Sequence, residues 1–200
     1  MATGDEFDRI RTALERTTRA SSDFDLNLDV TLPEGRKLRP AGVLIALQEL
    51  QTGVHVLLTK RSSALKHHPG QISFPGGSVD PEDGGPVQAA LREAQEEIGL
   101  QRENVEVFGV LPIHETVTGF NVTPVIGRIR TAFEPVPEPD EVEEVFSVPL
   151  AHVTDLARFQ VQSRMWQRKR RYYYTVPYGP YYIWGATARI LCGLAERLAQ

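Results

Sequence analysis

FPGGSVDPEDGG, residues 74 to 85, and REAQEEIGL, residues 92 to 100, decide how the rest of the chain reads. At about 100° per helical residue, Glu97 lies ~40° to one side of Glu93 and Glu96 ~60° to the other, so three carboxylates share one face. Carboxylates this close resist joint ionisation unless a hard cation neutralises them, and Mg²⁺ or Mn²⁺ is the usual oxygen-seeking choice. A solvated acidic helix face is the commoner meaning of a Glu-rich stretch. Here, however, a Gly/Pro/Asp loop runs straight into the helix, Pro86 opens its first turn and Gly99 stops it. The pattern points to metal-dependent phosphate chemistry.

Counting from Gly77, five residues lead to Asp83 and eight more to Arg92, followed by Glu93, Ala94, Gln95, Glu96, Glu97, Ile98, Gly99 and Leu100. This resembles the Nudix box: Gly, five residues, Glu, seven residues, then Arg-Glu-aliphatic-any-Glu-Glu-any-Gly-aliphatic. Asp83 stands in place of the first Glu, Ala94 is a minimal aliphatic, and one extra residue lies between loop and helix. In that family the first Glu looks structural, tying the loop to the helix. The segment upstream, LLTKRSSALKHHPGQISFPGGSVD from Leu57 to Asp80, is similar to the signature of the coenzyme A diphosphatase branch, with Lys66 as its one departure. IWGATARIL, Ile183 to Leu191, also looks like that branch.

The resemblance implies a Nudix fold, an α+β sandwich with a mixed sheet between helices. It also implies cleavage of the diphosphate of coenzyme A, or of its acyl or oxidised forms, to adenosine 3′,5′-bisphosphate and a 4′-phosphopantetheine. Another nucleoside diphosphate derivative (ADP-ribose, a dinucleotide or a nucleotide sugar) is the alternative substrate. A silent nucleotide sensor is the alternative of a different class, and the intact box carboxylates argue against it.

Glu93, Glu97 and Glu96 are the candidate metal ligands, Glu96 serving alternatively as base or as an outer partner. Arg92 shares the helix with these carboxylates, so orienting them by bidentate bonding suits it better than touching substrate. Gly76 and Gly77 have no Cβ and so allow metal or phosphate to approach the backbone. For the catalytic base the order is Glu96, then Glu144, then Glu115. Arg61 and Lys66 are candidate phosphate contacts, with Arg61 first for the 3′-phosphate, and His68 is a candidate substrate contact. The run RKRR, residues 168 to 171, reads as a charged hairpin tip, and the aromatics after it as packing first and adenine stacking second.

A chain of 200 residues, 41% hydrophobic, suits one globular domain, with residues 1–38 as an N-terminal helix and linker and 39–200 as the core. The net charge of −4 argues against a general nucleic-acid surface. MATGDEFDRI has neither a basic n-region nor an apolar h-region, and no membrane-length apolar run occurs, which together predict a cytoplasmic protein. Cys192, the single cysteine, falls in an apolar helical stretch and is expected to be a buried thiol. The five histidines form no zinc spacing, and P-loop, dinucleotide-binding, serine-elbow and HExxH motifs are absent.

The expected element order begins with an accessory amphipathic helix from Asp5 to Ala20. A hairpin of 41–47 and 54–59, the box helix, and strands at 105–112, 121–129 and 144–150 follow. A short helix at 150–157, a basic and aromatic hairpin over 159–183, and a last helix striped by Leu191, Leu194 and Leu198 complete the chain.

Overall fold

A computed structural model of the chain describes residues 3–16, 19–30, 35–166 and 169–200. Parts of two expected segments fall outside the described residues: positions 17, 18 and 31–34 of the N-terminal segment, and Arg168 of the basic run. In chain order the elements are α1 (Thr3–Leu14), β1 (Ser21–Ser22), β2 (Arg39–Leu50), β3 (Gly53–Arg61), β4 (Ile72–Ser73), β5 (Gly76–Ser78) and α2 (Pro86–Ile98). They continue with β6 (Val105–Val110), β7 (His114–Glu115), β8 (Phe120–Ile129), β9 (Val142–Pro149), α3 (Leu150–Val153), β10 (Gln160–Trp166), β11 (Lys169–Thr175) and α4 (Ala186–Leu198).

β2 is the spine of a mixed sheet. It runs parallel to β8 from Arg39 to Leu47, while its other edge is shared by β3 at the turn end and β5 at the opposite end, both antiparallel. β3 then pairs with β9, and β8 with β6 and β7. Side chains alternate along a strand, so Leu44 and Ala46 of β2 face α2, packing with Ala90, Ala94 and Ile98. Ile45 and Leu47 face the other side, toward Ile10, Leu150, Leu191 and Leu194. Helices thus cover both faces, giving the expected sandwich. The seat of α2 is close: a Cβ on Gly42 would lie 1.9 Å from the Pro86 carbonyl oxygen, so only glycine fits there.

Three features differ from the sequence expectation. The first helix ends at Leu14, not Ala20, and it is no appendage: Phe7 and Ile10 lie in the main core, and Arg197 of α4 donates to the Ala13 carbonyl at 3.1 Å. The polar segment after it supplies β1, parallel to β7, which no apolar alternation announces. The glycine loop also carries two short strands, β4 and β5, that stitch it to β3 and β2. The last helix buries Leu191 and Leu194 as expected, and Cys192 is buried, its thiol pushed up to about 11 by desolvation. Among the described residues no helix is long and apolar enough to cross a membrane.

Candidate active site

Pro86 occupies the first turn of α2, where its missing N–H costs nothing, and Gly99 in the left-handed region closes the helix by donating to the Gln95 carbonyl. Arg92, midway along, is the hub that ties helix to loop. Its Nε and Nη2 bind the Asp83 carboxylate at 3.1 and 3.0 Å, and Nη2 also reaches the Ser78 carbonyl at 3.1 Å. The loop-to-helix tie is therefore made by the shorter acid, and the guanidinium holds the Asp83 carboxyl below its usual range. Nη1 meanwhile contacts Glu93 at 3.0 Å and Glu96 at 2.9 Å.

The shared face divides as its angles dictate. Glu97, on the sheet side of Glu93, is buried and accepts the Gly76 N–H at 3.1 Å, whereas Glu96, on the other side, points outward to Arg92. The third member of the compact acidic group is Glu141, from the residue before β9: one carboxylate oxygen each of Glu93, Glu97 and Glu141 lies within 4.8 Å of the others. Burial pushes the Glu97 carboxyl up to about 8, partly offset by the Gly76 N–H, with Glu93 and Glu141 adding to the rise and Arg61 opposing it. Glu93 is raised for the same leading reason, against the pull of Arg92. Three close carboxylates, two of them reluctant to ionise, suit a hard divalent cation, whose charge would reverse those shifts.

Glycines shape the floor of the site. A Cβ on Gly77 would stand 2.4 Å from Glu93 Oε1, and one on Gly76, whose φ is +152°, would meet the Gly42 carbonyl at 2.4 Å. The first clash is with a carboxylate of the acidic group, the second with the sheet itself.

A cavity of about 510 Å³ is lined by Arg61, His68, Phe74, Val122 and Trp184 among others; Glu93, Glu97 and Glu141 are not in its lining, and Arg61, whose charge acts on Glu97, links the two. The signature segment builds that wall: the Arg61 carbonyl accepts the Gly70 N–H at 3.0 Å and its own N–H donates to Gln71 at 3.0 Å, closing the loop between β3 and β4 on Arg61. His68 sits in this loop with φ of 55°, the one non-glycine among the described residues in the left-handed region. Lys66 is exposed and lies off the cavity lining. The two remaining base candidates are engaged elsewhere: Glu144 accepts the Tyr181 hydroxyl, and Glu115 pairs with Arg36.

The sequence reading missed Glu141. It stands in an acid-rich stretch with Asp140, Glu143 and Glu144, and nothing local marks which of the four joins the acidic group, where Glu141 remains exposed. Pairing of β9 with β3 makes the choice, anchored where the Ser62 N–H donates to the Glu141 carbonyl at 2.8 Å.

Comparison with known proteins agrees with this geometry. The NUDIX domain family matches residues 38–173, and the chain belongs to that family. It is similar over 88% of its length to the "Uncharacterized Nudix hydrolase NudL" of Pectobacterium atrosepticum, at 39% identity and 92% coverage of that relative. The protein of the same name from Klebsiella pneumoniae (strain 342) is 41% identical, covering 88% of this chain and 97% of its own. A MutT/nudix family protein from Enterococcus faecalis shares the fold across 97% of this chain and 74% of its own, with a TM-score of 0.50 at 16% identity. The chain is accordingly a Nudix hydrolase, an enzyme that hydrolyses pyrophosphate bonds in nucleoside diphosphate derivatives, and such enzymes generally use divalent metal ions.

Proposed function

We propose that this enzyme is a coenzyme A diphosphatase, cleaving coenzyme A or its thioesters to adenosine 3′,5′-bisphosphate and 4′-phosphopantetheine or its acyl form. The observation that supports the reading is that Arg61, His68 and Phe74 of the signature segment line one cavity of about 510 Å³, and that Arg61 also acts electrostatically on Glu97 of the acidic group. That volume falls within the roughly 300–1,000 Å³ typical of small-molecule sites. Apolar lining at Val43, Phe74 and Val122 suits a pantetheine arm.

In this reading Glu93, Glu97 and Glu141 hold Mg²⁺ or Mn²⁺, with the backbone of Gly76 and Gly77 free to approach it. When bound, the cation screens the diphosphate charge and lowers the pKa of a water. The chain's own residues do the rest. Arg92 fixes the Glu93 and Glu96 carboxylates, so Glu96, the first candidate base, can take the proton of the attacking water without losing its position. Glu144 and Glu115 stay behind it as candidates because their partners, Tyr181 and Arg36, lie outside the Arg92 cluster that holds Glu93 and Glu96. Arg61, close enough to Glu97 to lower its pKa, would meet the diphosphate, and His68, which also lines the cavity, would contact substrate.

The test is product identification by mass spectrometry after incubation with coenzyme A and Mg²⁺ or Mn²⁺. Adenosine 3′,5′-bisphosphate and 4′-phosphopantetheine in equal amounts, absent in chelator, are expected. Intact coenzyme A beside rapid hydrolysis of ADP-ribose or a nucleotide sugar would overturn the reading.

A further inference from the structure

The hairpin of β10 and β11 contributes an arrangement that the acidic site does not use. Arg164 and Arg171 are directly opposed partners in this antiparallel pair, so their side chains leave the same face. Both line the cavity that carries Arg61. An anion held between two arginines on one face can receive charge-assisted hydrogen bonds from both. Each guanidinium lies over an aromatic ring, Arg164 over Trp184 at 4.4 Å and Arg171 over Phe24 at 5.6 Å, and the backbone of the next residue, Tyr172, is pinned by buried Asn27. Asn27 accepts the Tyr172 N–H and donates to the Tyr172 carbonyl, both at 2.9 Å.

We propose that Arg164 and Arg171 form a phosphomonoester subsite, reading the 3′-phosphate that distinguishes coenzyme A from dephospho-coenzyme A. The assignment rests on the coenzyme A reading above for the identity of the anion. It also divides labour among the cations: Arg61, whose charge acts on Glu97, serves the diphosphate, and the hairpin serves the far phosphate. Two forked guanidinium groups on one face match the three oxygens of a terminal phosphate better than flexible, exposed Lys66 does.

The experiment compares kcat/KM for coenzyme A and dephospho-coenzyme A in the wild type, Arg164→Ala, Arg171→Ala and the corresponding Lys variants, with melting temperatures recorded for each. Since hydrogen bonds to charged groups are worth about 1.5–3 kcal/mol, each Ala variant should shrink the preference for coenzyme A by roughly ten-fold or more. Turnover of dephospho-coenzyme A should hold, and Lys should restore part of the preference. Equal losses on both substrates would overturn the subsite by assigning the arginines to the diphosphate or to packing. Calorimetric binding of adenosine 3′,5′-bisphosphate against AMP separates this from failure of the functional reading. If coenzyme A is not cleaved, tighter binding of the bisphosphate that is lost in Arg164→Ala and Arg171→Ala still supports the subsite, and equal binding of the two nucleotides overturns it.

Discussion

Arg92 grips the Asp83 carboxylate with two nitrogens while its third holds Glu93 and Glu96, so one side chain fixes both the loop and two carboxylates of the helix. Asp83→Asn should therefore lower the melting temperature and kcat together, because an untethered loop also releases the orientation of Glu93. The guanidinium depresses the Asp83 pKa, so this stabilisation is present above the unfolded value, near 4, and is lost as pH falls through the lower folded value. Thermal melts of both proteins at neutral and acid pH check it: the gap between them should narrow toward pH 3, and a constant gap would contradict the account.

Replacing Glu93, Glu97 or Glu141 with Gln keeps shape and removes one charge from the acidic group. For each, kcat should fall by about 10²-fold, ~3 kcal/mol of transition-state stabilisation, with folding retained. Steady-state assays at saturating Mg²⁺ decide the matter, and near-normal turnover by Glu97→Gln, or activity in excess chelator, would exclude the proposed metal site.

These carboxylates also show what a sequence can and cannot display. Glu93 and Glu97 are legible because helical geometry alone places them one turn apart, and Pro86 and Gly99 mark the limits of the helix that carries them. Even the division between buried Glu97 and outward Glu96 follows from angles around the axis once the sheet side is known. Glu141 belongs to a strand register, set by long-range pairing of β9 with β3, and no local pattern encodes that. The same holds for α1, whose apolar stripe announces a buried face but not that the face completes the main core. β1, two serines held by pairing with β7, has no alternation to read at all.

The pH dependence of the metal-free protein carries a distinctive sign. Burial raises the Glu97 carboxyl from an ordinary 4.5 to about 8, so the folded chain keeps a proton that the unfolded chain has already released. Stability contributed by this protonated group is present below the unfolded pKa and is lost as pH rises through that window toward 8. In chelator, the wild-type melting temperature should decline across this range more steeply than that of Glu97→Gln. Parallel curves would show that Glu97 titrates normally in the fold.

Two glycine substitutions should behave oppositely. Gly77→Ala drives a methyl to 2.4 Å from Glu93 Oε1, a side-chain atom that can swing away, so activity should fall far more than the melting temperature. Gly42→Ala meets the backbone oxygen of Pro86 at 1.9 Å, which cannot yield without moving α2, so stability should collapse first. Paired melts and assays distinguish them, and matched losses in Gly77→Ala would reduce that glycine to a turn residue.

The proposed function requires that the Nudix site around Glu93, Glu97 and Glu141 act on coenzyme A. The most direct measurement is kcat/KM for coenzyme A and for ADP-ribose, side by side with Mg²⁺ or Mn²⁺ at saturation. A clear preference for coenzyme A is expected, with hydrolysis of both substrates lost in chelator. Faster hydrolysis of ADP-ribose than of coenzyme A would contradict it.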